Sequence, residues 1–472
     1  MNQTVARDFG WSGIARLGLV QAALGAVVVL TTSTLNRVMV VELALPALLP
    51  GVLVALHYLV QIARPRMGHG SDTGGRRTPW ILGGMAVLGA GGALAALATV
   101  WMAERPAQGI ALAVVAFTLV GLGVSASGTS LLVLLAKRVA PERRAPAATI
   151  VWMMMIVGFA LTAGVAGKLL DPYSPERLLA VSAAVSVLAL ALTAVALHRL
   201  EGPAQSVGHA LESQPAPAPD FRAALAQVWA EPAARQFTIF VFISMLAYSA
   251  QDLILEPFAG TVFGYAPGAS TQLSGVQHGG VLLGMIIVAL AGSGAANRVL
   301  GLRGARLGSL KAWSVGGCLA SALALLGLVM AGLTGPGWPL AATVFLLGAA
   351  NGAFSIAAIG SMMKLAGEGR ERREGVRMGL WGAAQAVAFG LGGLVGTAAS
   401  DLARWLIASP GVAYAAVFFL EAMLFLVSAW LASRIGMAPT TPIQHKVTRA
   451  FDERIQTRGE HWPPSLQQGG TP

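Results

Sequence analysis

Apolar residues in this chain gather into runs of about 20 or more, broken by short stretches that carry most of the arginines, prolines and acidic residues. A helix that is apolar all round belongs in hydrocarbon. About 20 residues rising 1.5 Å each cross the roughly 30 Å bilayer core, where no backbone group can stay unpaired. The pattern predicts twelve such spans, near 16–37, 43–63, 80–102, 109–135, 147–169, 178–198, 236–257, 272–294, 309–333, 339–363, 376–400 and 411–433. Only the segment with Glu42 and Pro46 separates the first two, so that pair also reads as a single hairpin.

Composition removes the soluble alternatives. The 472 residues would fill three average soluble domains, yet 55% are hydrophobic and 11% charged, against about 25% charged in ordinary globular domains. Mean hydropathy is +0.68. The single cysteine, Cys318, can form neither an internal bridge nor a thiolate metal site. In a soluble chain a net charge of +11 would suggest a polyanion partner; here it is read through the loops, because Lys and Arg flanking spans stay on the cytoplasmic side. Of the 32 basic residues, all but Arg37, Arg105, Lys168, Arg177 and Arg404 fall on one side of the predicted topology. Both termini are therefore expected in the cytoplasm of a bacterial inner membrane. No cleavable signal pattern precedes the first span: Arg16 leads directly into it, so it reads as a retained start-transfer helix.

The clearest composition break is the proline-bearing stretch from Leu200 to Asp220. Phe221, Leu225, Val228 and Trp229 follow it at helical spacing, as a short surface helix or a continuation into span seven. The expected organisation is an N-terminal six-helix bundle over 1–198, a cytoplasmic linker over 199–235, a C-terminal six-helix bundle over 236–433 and a disordered cytoplasmic tail over 434–472. The halves echo each other. Gly121 to Lys137 in span four matches Gly348 to Lys364 in span ten, and glycine-studded spans follow both, with Gly158, Gly164 and Gly167 in one and Gly390, Gly392, Gly393 and Gly396 in the other. Glycines one turn apart let helices approach backbone to backbone, and a duplicated six-helix unit explains the echo.

The loop after span two reads Gly68-His69-Gly70-Ser71-Asp72-Thr73-Gly74-Gly75-Arg76-Arg77. It resembles the cytoplasmic signature of the major facilitator superfamily, in which Asp72 would face a helix N-terminus while Arg76 and Arg77 pair across the interface between halves. Thr73 stands where that superfamily usually has arginine. Span one ends Leu35-Asn36-Arg37-Val38-Met39 with Glu42 following, and span seven ends Gln251-Asp252-Leu253-Ile254-Leu255-Glu256-Pro257. With the Gly68-His69 and Ser71-Asp72 pairs, these stretches resemble the bacteriochlorophyll delivery family, the branch of the superfamily that includes PucC and LhaA. The loop between Asp72 and Arg76 is shorter than in those two, which points to a sister branch historically labelled a bacteriochlorophyll synthase chain.

The resemblance implies an all-α integral membrane protein of major facilitator fold, with twelve helices in two pseudo-symmetric bundles. It implies an assembly factor for light-harvesting complexes. Such a factor binds bacteriochlorophyll or a precursor transiently, holds no covalent cofactor, and passes the pigment to antenna polypeptides, in company with pigment-synthesis enzymes and membrane lipid.

Several residues are candidates for that work. Arg37 and Asp252 hold matching points near the non-cytoplasmic ends of spans one and seven, and an ion pair between them is expected to close an external gate; separate headgroup contacts are the alternative. Glu42 and Glu256 would cap helices or ligate a pigment magnesium, a hard cation that takes oxygen ligands. His57 and His278, in matching spans, are axial-ligand candidates or hydrogen-bonded interhelical histidines. Trp152 and Met155, within the run Trp152-Met153-Met154-Met155 and near Phe159, form a soft surface suited to a macrocycle or to packing. Glu421 near the middle of span twelve would cost about 2.5–3.5 kcal/mol or more as an unpaired ion. Because outer helices of this fold face lipid or a partner, it marks a partner contact or a buried polar pair.

Catalysis finds little support: there is no P-loop, no dinucleotide fingerprint after a strand, and no aspartate-rich diphosphate motif. Two readings remain, beside a third in which a scaffold binds antenna polypeptides without pigment and shares every motif. One is a non-enzymatic carrier with an oily chamber between the halves and charges only at its mouths. The other is a proton-coupled transporter of a small hydrophobic solute, to which the scarcity of buried acids in spans one, four, seven and ten is less suited.

Overall fold

The computed structural model describes residues 9–61, 76–140, 143–201, 226, 228–292, 309–368 and 374–435. Over these the chain forms twelve main helices. They are α1 (Trp11–Glu42), α2 (Leu48–Val60), α3 (Thr78–Glu104), α4 (Pro106–Arg138), α5 (Arg144–Leu169), α6 (Pro175–Leu197), α7 (Pro232–Phe263), α8 (Pro267–Gly292), α9 (Leu310–Thr334), α10 (Leu340–Glu368), α11 (Glu374–Leu406) and α12 (Pro410–Arg434). All but α2 are long and apolar enough to cross a membrane, and the protein is a multi-pass membrane protein. Helix α2 has 13 residues, and the described chain ends one residue beyond it.

Local chemistry sets several helix starts. Proline opens α4, α6, α7, α8 and α12, where its missing N–H and fixed φ fit the first turn. Ser174 and Ser309 cap α6 and α9 by accepting from the amides of Arg177 and Ala312. Gly264, at φ +68°, ends α7 and turns the chain into α8.

The first boundary departs from expectation. Helix α1 runs on to Glu42, and α2 starts at Leu48 rather than near residue 43, because Ala44 takes a left-handed φ of +50° and Pro46 cannot continue a helix. Two stretches of α1, Leu30–Thr34 and Val38–Glu42, are wound as π-helix. In the first, Thr31 and Thr32 donate their hydroxyls to Val28 O, a side-chain competition with the backbone ladder that favours irregular winding.

Helix contacts repeat between the halves. In the first half α1 packs on α5 and α6, α4 on α2 and α3, and α3 on α6; in the second α7 packs on α11 and α12, α10 on α8 and α9, and α9 on α12. Each pair has its counterpart six helices later, so the fold is two pseudo-symmetric six-helix bundles. The echo seen in sequence has a spatial meaning. A Cβ on Gly121 would lie 2.7 Å from His57 O, and one on Gly348 would lie 2.1 Å from Gln277 O, so each glycine admits the neighbouring helix at the same point of its half.

Three seams join the halves: α5 against α8, α2 against α11, and the end of α1 against α7 and α8. The first two are symmetry counterparts. Met153, Met155, Ile156 and Phe159 of α5 pack with Val281 and Met285 of α8 and Ala353 and Ile356 of α10. At one end of this seam Gly167 and Gly268 meet backbone to backbone, with room for a Cβ on neither. The face of the molecule where α1 begins and α12 ends is called the terminal face below, and the opposite one the distal face.

Candidate functional site

At the distal face α1 and α7 meet through a donor–acceptor network. Pro257 interrupts α7 and has no N–H to give to the carbonyl four residues back, Leu253 O. Asn36 of α1 supplies the missing donor, with Nδ2 at 2.5 Å from that oxygen. The two stretches singled out in the sequence are thus one device, a gap in one helix filled by an amide from the other. Beside it Ser33 donates to Glu256, which is 1% exposed, and the hydroxyls of Ser33 and Ser274 are 3.2 Å apart. The hydroxyls of Thr34 and Thr271 are 3.1 Å apart.

Arg37 is buried at 2% exposure. The expected ion pair with Asp252 is not the one it makes: its Nη1 is 2.8 Å from Glu42 Oε1 and its Nη2 donates to Tyr265 O at 2.6 Å. Two physical reasons account for the correction. The guanidinium lies against Gly260, whose Cβ would come within 2.8 Å of it, and Gly260 is eight residues beyond Asp252, roughly 12 Å along the helix. The π winding of Val38–Glu42 also brings residues five apart onto one face, so Arg37 reaches Glu42. Asp252 accepts instead from Gln277 Nε2 at 3.2 Å.

Between the halves lie half-buried aromatic rings. Tyr58 of α2 stacks on Phe389 of α11 at 5.6 Å and Phe389 meets Tyr248 of α7 at 5.9 Å; behind them Tyr248 meets Phe354 of α10, fully buried in the second-half core, at 6.3 Å. On the opposite seam Phe159 of α5 stands edge-on to His278 of α8 at 4.9 Å. His278 holds Ser274 O through Nδ1 at 2.8 Å, while His57 shares a 2.9 Å hydrogen bond with Gln61. The two histidines therefore belong to different seams, and the spatial counterpart of His57 is Gln277 rather than His278. Met155 accepts a contact from Gln21 Nε2 at 3.3 Å and joins the α5–α8 packing; Trp152, one turn away, is half-buried.

Glu421 does not face outward. It is 3% exposed, and it continues the buried stripe of Tyr414, Phe418 and Phe425 that α12 turns toward α7 and α9. Of the two alternatives left by the sequence, a partner contact or a buried polar pair, burial holds, and a spacing of three or four residues from the stripe's aromatics was the signal for it. Glu256 thus lies near the distal mouth of the interface, and Glu421 lies inside the second half, away from the interface. A narrow, partly open cleft lined by Val27, Leu30, Thr31, Leu35, Gly92, Ser182, Val185 and Ser186 lies within the first half rather than between the halves. It leaves no room for a water molecule, far from the roughly 300 Å³ at which small-molecule sites begin.

At the terminal face Glu201 accepts from Arg77 N at 2.6 Å and from Thr78 N and Oγ1 at 2.7 Å, capping the start of α3, while Arg138 holds Glu201 O. Burial opposes the charge of Glu201, but the Thr78 hydroxyl and the two amides outweigh it and hold the carboxyl below its usual range. In the second half Glu231 and Arg377 pair at 2.8 Å at the start of α11. Neither acid was singled out from sequence. Arg76 is exposed; Gly68, Asp72 and Gly75 lie outside the described residues.

The family described as PUCC protein matches residues 34–439 of the chain. A Rhodobacter capsulatus relative named Bacteriochlorophyll synthase 44.5 kDa chain is 54% identical over 430 residues, which cover 91% of this chain and 96% of that protein. Protein PucC of the same organism is 31% identical over 438 residues, 88% of this chain and 90% of its own length. Among solved structures, the D-xylose-proton symporter has a TM-score of 0.65 at 14% identity, covering 90% of this chain and 97% of that one. The nucleoside transporter NupG has a TM-score of 0.63 at 12% identity, covering 90% of this chain and all of its own. At such identities the likeness speaks to the fold alone, which is that of the major facilitator superfamily.

Proposed function

The chain belongs to the PucC protein family, and from that premise we propose that it is a non-enzymatic factor in the assembly of photosynthetic complexes, one that shelters bacteriochlorophyll or a precursor and hands it to antenna polypeptides. The observation that carries this reading is the 54% identity, along nearly the whole chain, to a relative named for bacteriochlorophyll. The geometry supports it in a narrower way. The rings of Tyr58, Phe389 and Tyr248 are half-buried along the line where the halves meet, and flat aromatic faces are good walls for a planar macrocycle. His278 and Asp252, on that interface, offer nitrogen and oxygen donors suited to a chlorin magnesium. Separation of the halves would give such a pigment room. The host membrane in this reading is the bacterial photosynthetic inner membrane, with both termini cytoplasmic.

The test is purification in mild detergent from a photosynthetic host, followed by an absorption spectrum and identification of co-purifying proteins. Bound chlorin together with antenna polypeptides or pigment-synthesis enzymes is expected, and Phe389→Ala should lower the pigment content. A colourless protein that drives proton-linked solute uptake in vesicles would replace this reading with transport of a small hydrophobic solute, which the burial of Glu256 and Glu421 favours as the second reading.

A further inference from the structure

The turn that follows α6 is anchored from both sides. Arg16 of α1 donates through Nε to Ala196 O at 2.8 Å and through Nη2 to His198 O. Those carbonyls belong to the negative end of the α6 dipole, and the guanidinium answers it. Three residues beyond His198, Glu201 spends both carboxylate oxygens on the amides of Arg77 and Thr78 at the start of α3, and Arg138 of α4 holds its carbonyl. Between the two anchors stand His198 and Arg199, both exposed. Arg199 takes a left-handed φ of +53°, a conformation that an arginine adopts only where its surroundings impose it.

The anchored turn borders an open cleft of about 680 Å³, lined by Arg16, Ala194, Val195, His198 and Arg199. None of these is acidic, and Glu201, the acid next in the chain, is committed to α3. Arg16 keeps Nη1 beyond its two bonds to α6. From the cleft an apolar stripe runs along α6 toward the middle of the helix: Val195, Ala191, Leu188 and Ala184 follow at helical spacing and are all exposed, Val195 at 71% and Leu188 at 67%. Basic groups gathered between two membrane-spanning helices at the head of such a stripe suit a phospholipid, its anionic headgroup on the cations and its chain along the helix. The corresponding corner of the second half is built otherwise. There Lys311 of α9 donates to Ile435 O at 3.1 Å and Arg434 lies over the Trp430 ring at 4.4 Å, so both cations are already engaged.

We propose that this corner of α1 and α6 binds one anionic phospholipid, with the phosphate on Arg16, His198 and Arg199 and an acyl chain along the exposed stripe of α6. The site does not depend on what the protein carries between its halves. A lipid seated there joins α1 to the turn after α6, and that same turn supplies the Glu201 cap of α3, so occupancy steadies three helices of the first half. Charge and shape together select the ligand. A zwitterionic headgroup brings a cation of its own to the arginines, and a free phosphate lacks the chain for which the stripe provides a track.

The full chain, purified and stripped of lipid in mild detergent, tests this by titration with dioleoylphosphatidylglycerol, read as melting temperature and as mass spectra of the intact protein–lipid complex. One phosphatidylglycerol per chain and a saturable rise of several degrees are expected. Arg199→Asn removes the charge at a position whose left-handed backbone asparagine accepts, and should weaken the apparent affinity about fivefold. Adding His198→Gln should weaken it further. Arg434→Gln, at the corresponding corner of the second half, should leave the titration unchanged. An equal rise with dioleoylphosphatidylcholine would reduce the site to an apolar groove, and an equal rise with inorganic phosphate at matched ionic strength would make it a free-anion site; either overturns the proposal. So does a phosphatidylglycerol titration that is unaltered in the double variant, or altered as much in Arg434→Gln.

Discussion

Helices α1 and α7 hold equivalent places, each packed on the fifth and sixth helices of its own half and each reaching the other at the distal face. Their chemistry is opposite. From α1 come the donors Ser33, Asn36 and Arg37, while α7 offers acceptors: the open carbonyl of Leu253 and the carboxylate of Glu256. Even the irregularities differ in kind, since α1 is underwound in two π segments and α7 lacks a backbone donor at Pro257. Duplication built the scaffold, and divergence between the copies made the contact. A symmetric pair would have set donor against donor.

The sharpest way to break this comparison is to reverse the charge on α1. Arg37→Glu would bury a carboxylate beside Glu42 and should cost about 3 kcal/mol or more, read as a fall in melting temperature. Adding Glu42→Arg should recover part of that loss, whereas adding Asp252→Arg should recover none; rescue by the second variant would restore the ion pair expected from sequence. Asn36→Ala is next, at about 1–3 kcal/mol, because it leaves Leu253 O buried and unanswered. In a Pro257→Ala background the backbone N–H returns, and the same substitution should cost only about a few tenths. A double-mutant cycle showing no such coupling would separate the two motifs.

The smallest effect is at the terminal face. Glu201→Gln should lower stability by about 1 kcal/mol, as for a lost helix cap. Because the folded carboxyl titrates below its usual range, its contribution is present above that range and disappears as the pH falls through the folded value. The acid limb of a melting-temperature profile should therefore be shallower in Glu201→Gln than in the wild type.

Hydropathy alone carried the spans, because a membrane core forces every crossing segment into the same length and character. The paired glycines of spans four and ten were legible for a similar reason: close approach between helices has a sequence cost that only small residues meet. Partner choice was less legible. Under regular α winding residues 37 and 42 point to different sides, and no spacing rule reports the π turn that unites them. The role of Asn36 was hidden because its partner is a main-chain oxygen, defined by what Pro257 lacks rather than by any side chain. Position alone left Glu421 undecided, since an outer helix still turns one face inward.

The contact at Gly167 and Gly268 places two backbones together with nothing between them to compress. It can serve as a fulcrum. The helices that meet there extend some 25 residues to the other face of the molecule, a lever of roughly 38 Å, so each degree of tilt swings its far end by about 0.7 Å. A tilt of about 10° would open a wedge some 6 to 7 Å wide on the side of the termini, enough to admit a flat ring edge-first while the opposite rim stays shut.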